Sequence, residues 1–241
     1  MFADRVDAGR QLAAALERYR AENPIVLALP RGGVPVGAQV ARALGAPLDV
    51  LLVRKISAPG MPEFGIGAVV DGPEPQVVLN KKLVRLVAPP HGYIDAQVRI
   101  EMVELERQRV LYAGERKALS PEGRLLIVVD DGITTGSTIR AALRVLRHQR
   151  PKSLIVAVPV MPPKAVAPLR ATIDKLICLL TPQDFEAVGQ FYEDFTETPE
   201  EQVSDLLRSV NQQSAARSPI SPPAPMFQNT NIRNHGCDWC G

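Results

Sequence analysis

Short runs of consecutive apolar residues recur along the chain, separated by longer stretches in which apolar positions fall every three or four residues. Residues 25–29, 48–53, 125–129, 154–158 and 175–180 are largely without polar alternation, as expected of strands buried on both faces. Helical spacing covers residues 4–22, 34–44, 137–148 and 163–170, each bounded by Gly, Pro or a polar cap, with Gly45 as a helix stop. The alternation predicts an α/β fold, a mostly parallel sheet flanked by helices. One insert departs from the rhythm: residues 66–70 and 76–79 resemble short strands, and a charged helix is expected over 93–117. Together they suggest a small hood or flap over the sheet edge. The mixed charges of that helix, among them Arg99, Glu101, Glu106, Arg107 and Arg109, suit a solvated face and are assigned no chemistry.

After Val210 the chain turns to Asn, Gln, Ser and Pro with almost no packable periodicity. The expected organisation is one globular domain over residues 1–210, with the insert at about 57–120, and a disordered tail over 211–241. A length of 241 residues with 46% hydrophobic content suffices for one sizeable core and not for two full-sized domains. The formal net charge of +2, spread along the chain, gives no support for a nucleic-acid partner. No apolar run reaches the roughly 18 residues of a membrane span, so a cytoplasmic protein without membrane contact is expected. Cys178, inside an apolar run, reads as a small hydrophobe. The other two cysteines lie in His235-Gly-Cys-Asp-Trp-Cys240, which supplies at most three ligands of a tetrahedral zinc site and also suits a tail with two free thiols.

The chemistry concentrates in Leu125-Leu-Ile-Val-Val-Asp-Asp-Gly-Ile-Thr-Thr-Gly-Ser-Thr138. A buried strand runs into two carboxylates, then a turn of small residues, then a helix marked by Ile139, Ala142, Leu143 and Leu146. Residues 134–138 therefore present backbone N–H groups at a helix N-terminus, an anion cradle. Gly132 and Gly136 permit close backbone approach, and Thr134, Thr135, Ser137 and Thr138 add hydroxyl donors around Ile133. Asp130 and Asp131 stand at the carboxyl end of the strand, where open α/β sheets bind ligands. Two anions beside a phosphate cradle suit a molecule with a phosphate at one end and a vicinal diol at the other, such as a ribose 5-phosphate. A nucleoside-triphosphatase loop is excluded, because three residues rather than four separate Gly132 from Gly136 and Ser137 stands where a lysine belongs. The dinucleotide fingerprint fails on the spacing of Gly32, Gly33 and Gly37 and on the missing third glycine after Gly65 and Gly67.

The segment Val128-Val-Asp-Asp-Gly-Ile-Thr-Thr-Gly-Ser-Thr138 resembles the phosphoribosyl-pyrophosphate loop of type I phosphoribosyltransferases, and the resemblance spans residues 23–208. It implies that fold, transfer of ribose 5-phosphate to or from a nitrogenous base or amine, magnesium as cofactor, and a place in nucleotide metabolism. By the same resemblance, residues 132–138 bind the 5-phosphate. Ala28-Leu-Pro-Arg-Gly-Gly33 stands where the family binds pyrophosphate, with Arg31, Gly32 and Gly33 as contacts. Arg31 also suits a diphosphate on its own chemistry, since glycines let the backbone approach and arginine offers a fork of donors. Val53-Arg-Lys-Ile56 resembles the start of the mobile catalytic loop of orotate phosphoribosyltransferases, which makes Arg54 and Lys55 pyrophosphate contacts and 57–64 the flexible part. Read as residues alone, the two are equally a solvated basic pair. Catalysis is then expected of Asp130, Asp131, Arg31 and Lys55, with magnesium held at Asp130 and Asp131 largely through substrate and water. Thr134 stands where 6-oxopurine salvage enzymes carry a further aspartate, which counts against that acceptor class and leaves the acceptor open. Phe185, after the last strand, is a candidate for stacking on the base, although an aromatic near a strand end is more often a core residue. A homodimer is expected by family analogy only. The competing function is a phosphoribosyl-pyrophosphate sensor of the same fold without transferase activity.

Overall fold

The computed structural model describes residues 1–72, 75–113 and 119–217. Five strands, β1 (Ile25–Ala28), β2 (Leu48–Val50), β6 (Leu125–Val129), β7 (Ser153–Val160) and β8 (Lys175–Leu180), form a sheet of order β2-β1-β6-β7-β8. Every neighbouring pair in it is parallel. The order reverses between β1 and β6: the chain leaves β1 for β2 on one side and returns as β6 on the other. Such a switch point opens a crevice at the carboxyl ends of the two strands, because their following loops diverge to opposite faces.

Helices cover both faces, as the alternating pattern predicts. On one face α1 (Arg5–Leu16), α2 (Gly33–Leu44) and α7 (Glu200–Arg217) bury Leu12, Leu16, Val36, Val40, Val203 and Leu207 against Val26 and Ile127. On the other, α5 (Ser137–His148) and α6 (Pro163–Arg170) bury Ile139, Leu143, Leu146 and Leu169 against Val128 and Val156. Each helix shows its apolar stripe to the sheet, and burial of that stripe is what fixes helices as short as the eight to twelve residues of α1, α2, α5 and α6. Cys178 lies half-buried on β8, where burial pushes its thiol up to about 11. That is consistent with a space-filling residue.

The insert is a three-stranded antiparallel sheet, β3 (Val53–Ala58), β4 (Met61–Val70) and β5 (Gln76–Leu79), followed by α3 (Lys81–Val87) and α4 (Tyr93–Ala113). It is joined to the main core, with Ile56, Ile66 and Leu105 in one apolar cluster and Ala68 and Val70 in the other. Two expectations are corrected here. The run 48–53 is not one strand: β2 ends at Val50, and Val53 already belongs to the second sheet, paired with Val70. Residues 57–64 are not an open loop but the end of a hairpin, with Ser57 opposite Gly65 and Ala58 opposite Met61. Consecutive apolar residues conceal the change of sheet, and the polar tip conceals its pairing.

The composition shift after Val210 is not the end of ordered structure, because α7 continues to Arg217. Asn211 explains the extension. Its side chain accepts from Leu48 N at 2.9 Å and donates to Leu48 O at 2.8 Å, fastening the helix to the outer side of β2. Loss of both bonds in Asn211→Ala is expected to cost about 1–3 kcal/mol. At about 2–4 °C per kcal/mol for a chain of this size, a thermal melt reads the effect directly. The remainder of the expected tail, with His235, Cys237 and Cys240, lies outside the described residues.

Candidate active site

The ends of β1, β6 and β7 converge where the topology predicts a crevice. Ala28 and Val129 are register partners, and Leu29 N donates to Val129 O at 2.9 Å, so the loops after β1 and β6 leave side by side. From the first loop, Gly32 lies against the Asp131 carboxylate: a Cβ built on Gly32 would stand 2.0 Å from Asp131 Oδ2. Only glycine allows this approach. Gly33 faces the backbone of Asp130, with Asp130 Cα 2.9 Å from the same kind of built position. The loop expected to meet pyrophosphate and the acid pair thus lie against each other through Gly32 and Gly33, while Arg31 is paired elsewhere.

The acids are held by their surroundings. Asp131 N donates to Asp130 Oδ1 at 2.9 Å. Arg5, from the first turn of α1, donates through Nε to Asp131 Oδ2 at 2.8 Å and through Nη1 to Thr196 O at 2.7 Å. The Arg5 and Asp131 side chains are only 11% and 14% exposed. Tyr192 donates its hydroxyl to Asp131 O at 2.6 Å. Burial pushes the carboxyl of Asp130 well above the usual range, and the neighbouring charge of Asp131 adds to the rise. Burial also raises Asp131, opposed by the hydrogen bond and charge of Arg5. Burial and the nearby Asp131 raise the Tyr192 phenol, so it stays a donor.

After the acids, Ile133 is buried and its N–H donates to Val160 O at 3.0 Å, which pins the loop to the end of β7. Gly136 takes φ +70 and caps α5, a left-handed turn that glycine adopts without strain. The N–H groups of Thr134, Thr135 and Gly136 have no partner among the described residues. With the exposed side chains of Thr134, Thr135 and Ser137 they leave a row of open donors at the start of α5, where the sequence places a phosphate. Thr135 Oγ1 and Ser137 Oγ lie 3.0 Å apart, and Arg140 Nε donates to Gly136 O at 3.3 Å.

Other candidates are placed differently. Arg54 on β3 is turned to α4, with Nε 2.9 Å from Glu101 Oε2. Lys55 lies along the hairpin, 3.5 Å from Glu63 Oε2. Neither forms an ion pair with Asp130 or Asp131 among the described residues. Phe185 stacks on Phe191 with centroids 5.6 Å apart and packs beside Phe2 and Tyr192, the role of a satellite core. Arg31 pairs with Glu197, a residue the sequence did not single out.

In the segment after β8, for which the sequence offered Phe185, the groups that reach the acids are others. Tyr192 is bridged to Phe2 in parallel, with Phe2 N donating to Phe191 O and Glu193 N to Phe2 O. Phe195 lies under Arg5, whose guanidinium carbon is 3.9 Å from the ring centroid. Asp4 caps α1 by accepting from Asp7 N, which places Arg5 in the first turn. That cap is readable in the sequence; the reach of Arg5 across 126 residues to Asp131 is not.

Comparison with known proteins agrees with the geometry. A family model for the phosphoribosyl transferase domain matches residues 3–196. Proteins of two Mycobacterium tuberculosis strains, H37Rv and CDC 1551, both provisionally named phosphoribosyl transferases, are 40% identical over 224 residues, 93% of this chain and 50% of each relative. The chain therefore spans about half the length of these curated relatives. The crystal structure of TT1426 from Thermus thermophilus is similar with a TM-score of 0.72 and 43% identity, over 87% of this chain and 98% of that one.

Proposed function

Because the chain belongs to the phosphoribosyl transferase domain family, whose fold implies a transferase, we propose that it uses phosphoribosyl pyrophosphate and magnesium to transfer ribose 5-phosphate to, or from, a nitrogenous base or amine, with pyrophosphate as the leaving group. The observation that carries this reading is the adjacency, at one sheet end, of a buried acid pair, an open N–H cradle and the Gly32 loop. Few ligands need an anion site, a diol site and a second anion site in that order.

In this reading residues 132–138 hold the 5-phosphate, the end of the substrate furthest from the reacting bond. Each charge-assisted hydrogen bond there contributes about 1.5–3 kcal/mol, and that remote binding energy positions the anomeric carbon. Asp130 and Asp131 accept from the ribose hydroxyls and favour the positive charge that develops on the ring as pyrophosphate departs. Arg31 and the N–H groups of Gly32 and Gly33 receive the leaving group, and Arg31 must give up Glu197 to do so. The carboxylates fit magnesium, a hard cation that prefers oxygen, but no group of three or more His, Cys, Asp or Glu with metal-binding geometry exists among the described residues. Most of its ligands would therefore be substrate and water oxygens, and when bound it would neutralise the pyrophosphate. The acceptor is a flat nitrogenous base or an amine, and a cytoplasmic setting is consistent with the absence of any helix, among the described residues, long and apolar enough to cross a membrane.

Calorimetric titration with phosphoribosyl pyrophosphate tests the proposal. Binding is expected with magnesium, reduced without it, and lost in Asp130→Asn/Asp131→Asn. A folded wild-type protein that releases no heat across the titration would overturn it. Binding without turnover of any base or amine in a subsequent screen would favour the sensor reading.

A further inference from the structure

The acid pair is not complete within its own loop. Asp131 sends its carboxylate toward Gly32, and a bare negative charge there would repel the pyrophosphate that the loop is read to receive. Arg5 removes that repulsion. Its Nε is 2.8 Å from Asp131 Oδ2 and 3.1 Å from the Cβ position of Gly32, so the ion pair itself lies against the loop. The guanidinium is fixed from three sides, by the carboxylate, by the Thr196 carbonyl and by the Phe195 ring. Fixation of this kind is preorganisation: the group need not be ordered when ligand arrives. No cation of the hood stands in this relation to the acids among the described residues, since Arg54 and Lys55 are engaged with Glu101 and Glu63.

We propose that Arg5, carried in from the N-terminal helix, is a positioning residue of the site: it holds Asp131 in place against Gly32 and cancels its charge at the pyrophosphate end. The proposal rests on the functional reading above. It also explains why the first residues are bound so closely to the segment after β8. The bonds of Phe2 and Ala3 to Phe191, Glu193 and Asp194 fix the start of α1 beside Thr196 and Phe195, the two other groups that aim Arg5.

A double-mutant cycle on affinity for phosphoribosyl pyrophosphate, measured by calorimetry with magnesium, separates this role from simple support of the fold. Arg5→Gln is expected to weaken binding about tenfold or more, and Arg5→Lys, which keeps the charge but not the guanidinium fork, to recover part of the loss. Arg10→Gln, exposed on the same helix, serves as the control and should bind as wild type does. In an Asp131→Asn background, Arg5→Gln should cost nothing further, because its effect passes through Asp131. That doubly neutral variant also removes the ion pair as a whole, which is far better tolerated than leaving one charge unpaired, so its comparison with Asp131→Asn stays readable if Arg5→Gln alone folds poorly. Wild-type affinity in Arg5→Gln, no recovery in Arg5→Lys, or additive losses in the double variant would each overturn the proposal alone. A wild type that fails to bind would overturn the functional reading and this proposal with it.

Discussion

Asp131→Asn is expected to lower turnover by about a hundredfold to a thousandfold, the loss typical of removing one preorganised electrostatic contact. The substitution keeps the size and shape of the side chain, so Gly32 still accommodates it and the Tyr192 bond to the backbone carbonyl persists. What is lost is charge. The amide no longer favours positive charge on the ribose ring, and the guanidinium of Arg5, 11% exposed, faces a neutral partner. Initial rates with whichever acceptor a screen of purines, pyrimidines and amines identifies will measure the effect. Turnover within a few-fold of wild type would take the acids out of the mechanism.

Gly32→Ala should be nearly as damaging although it adds one methyl group and no charge. The new Cβ would lie 2.0 Å from Asp131 Oδ2, 2.7 Å from its Cγ and 3.1 Å from Arg5 Nε. No rotation of the alanine relieves this, so the carboxylate must leave its place, and the bond to Arg5 breaks with it. Overpacking of this kind costs about 1–3 kcal/mol in stability. Affinity for phosphoribosyl pyrophosphate should fall by more than roughly tenfold, since both the loop and the acid move. Titration and melting of the same sample report the two effects. Wild-type affinity in Gly32→Ala would mean that the ligand does not use the contact between these loops.

The sequence made the parallel sheet legible because its inner strands β1, β6 and β7 are buried on both faces, and such strands read as uninterrupted apolar runs. Helices α5 and α6 were legible to the residue, since Gly136 and Pro163 mark their starts and their apolar stripes face one sheet. The acid pair and the cradle were legible for a different reason: they are contiguous, so one strand, one turn and one helix bring them together without help from the rest of the chain. Arg5, Phe195 and Glu197 were not, because their partners lie across the fold and nothing local distinguishes them from surface residues. Lys55 shows the converse limit. The resemblance of Val53-Arg-Lys-Ile56 implies the start of a mobile loop with 57–64 as its flexible part, but residues 53–58 find antiparallel partners in β4.

The open flank of β2 shows how the protein guards itself against unwanted strand addition. Residues 47 and 49 direct their backbone groups toward β1, so those of Leu48 and Val50 point outward, where an edge strand invites another chain to pair. Leu48 is answered on both its N–H and its C=O by the side-chain amide of Asn211, a single residue that imitates the hydrogen bonds of a sixth strand. Val50 N is taken by the carboxylate of Asp49. The helix that carries Asn211 thus acts as a shutter on the sheet. Asn211→Ala, which leaves the helix and its apolar contacts with the core in place, would uncover the outward groups of Leu48 alone and favour edge-to-edge association.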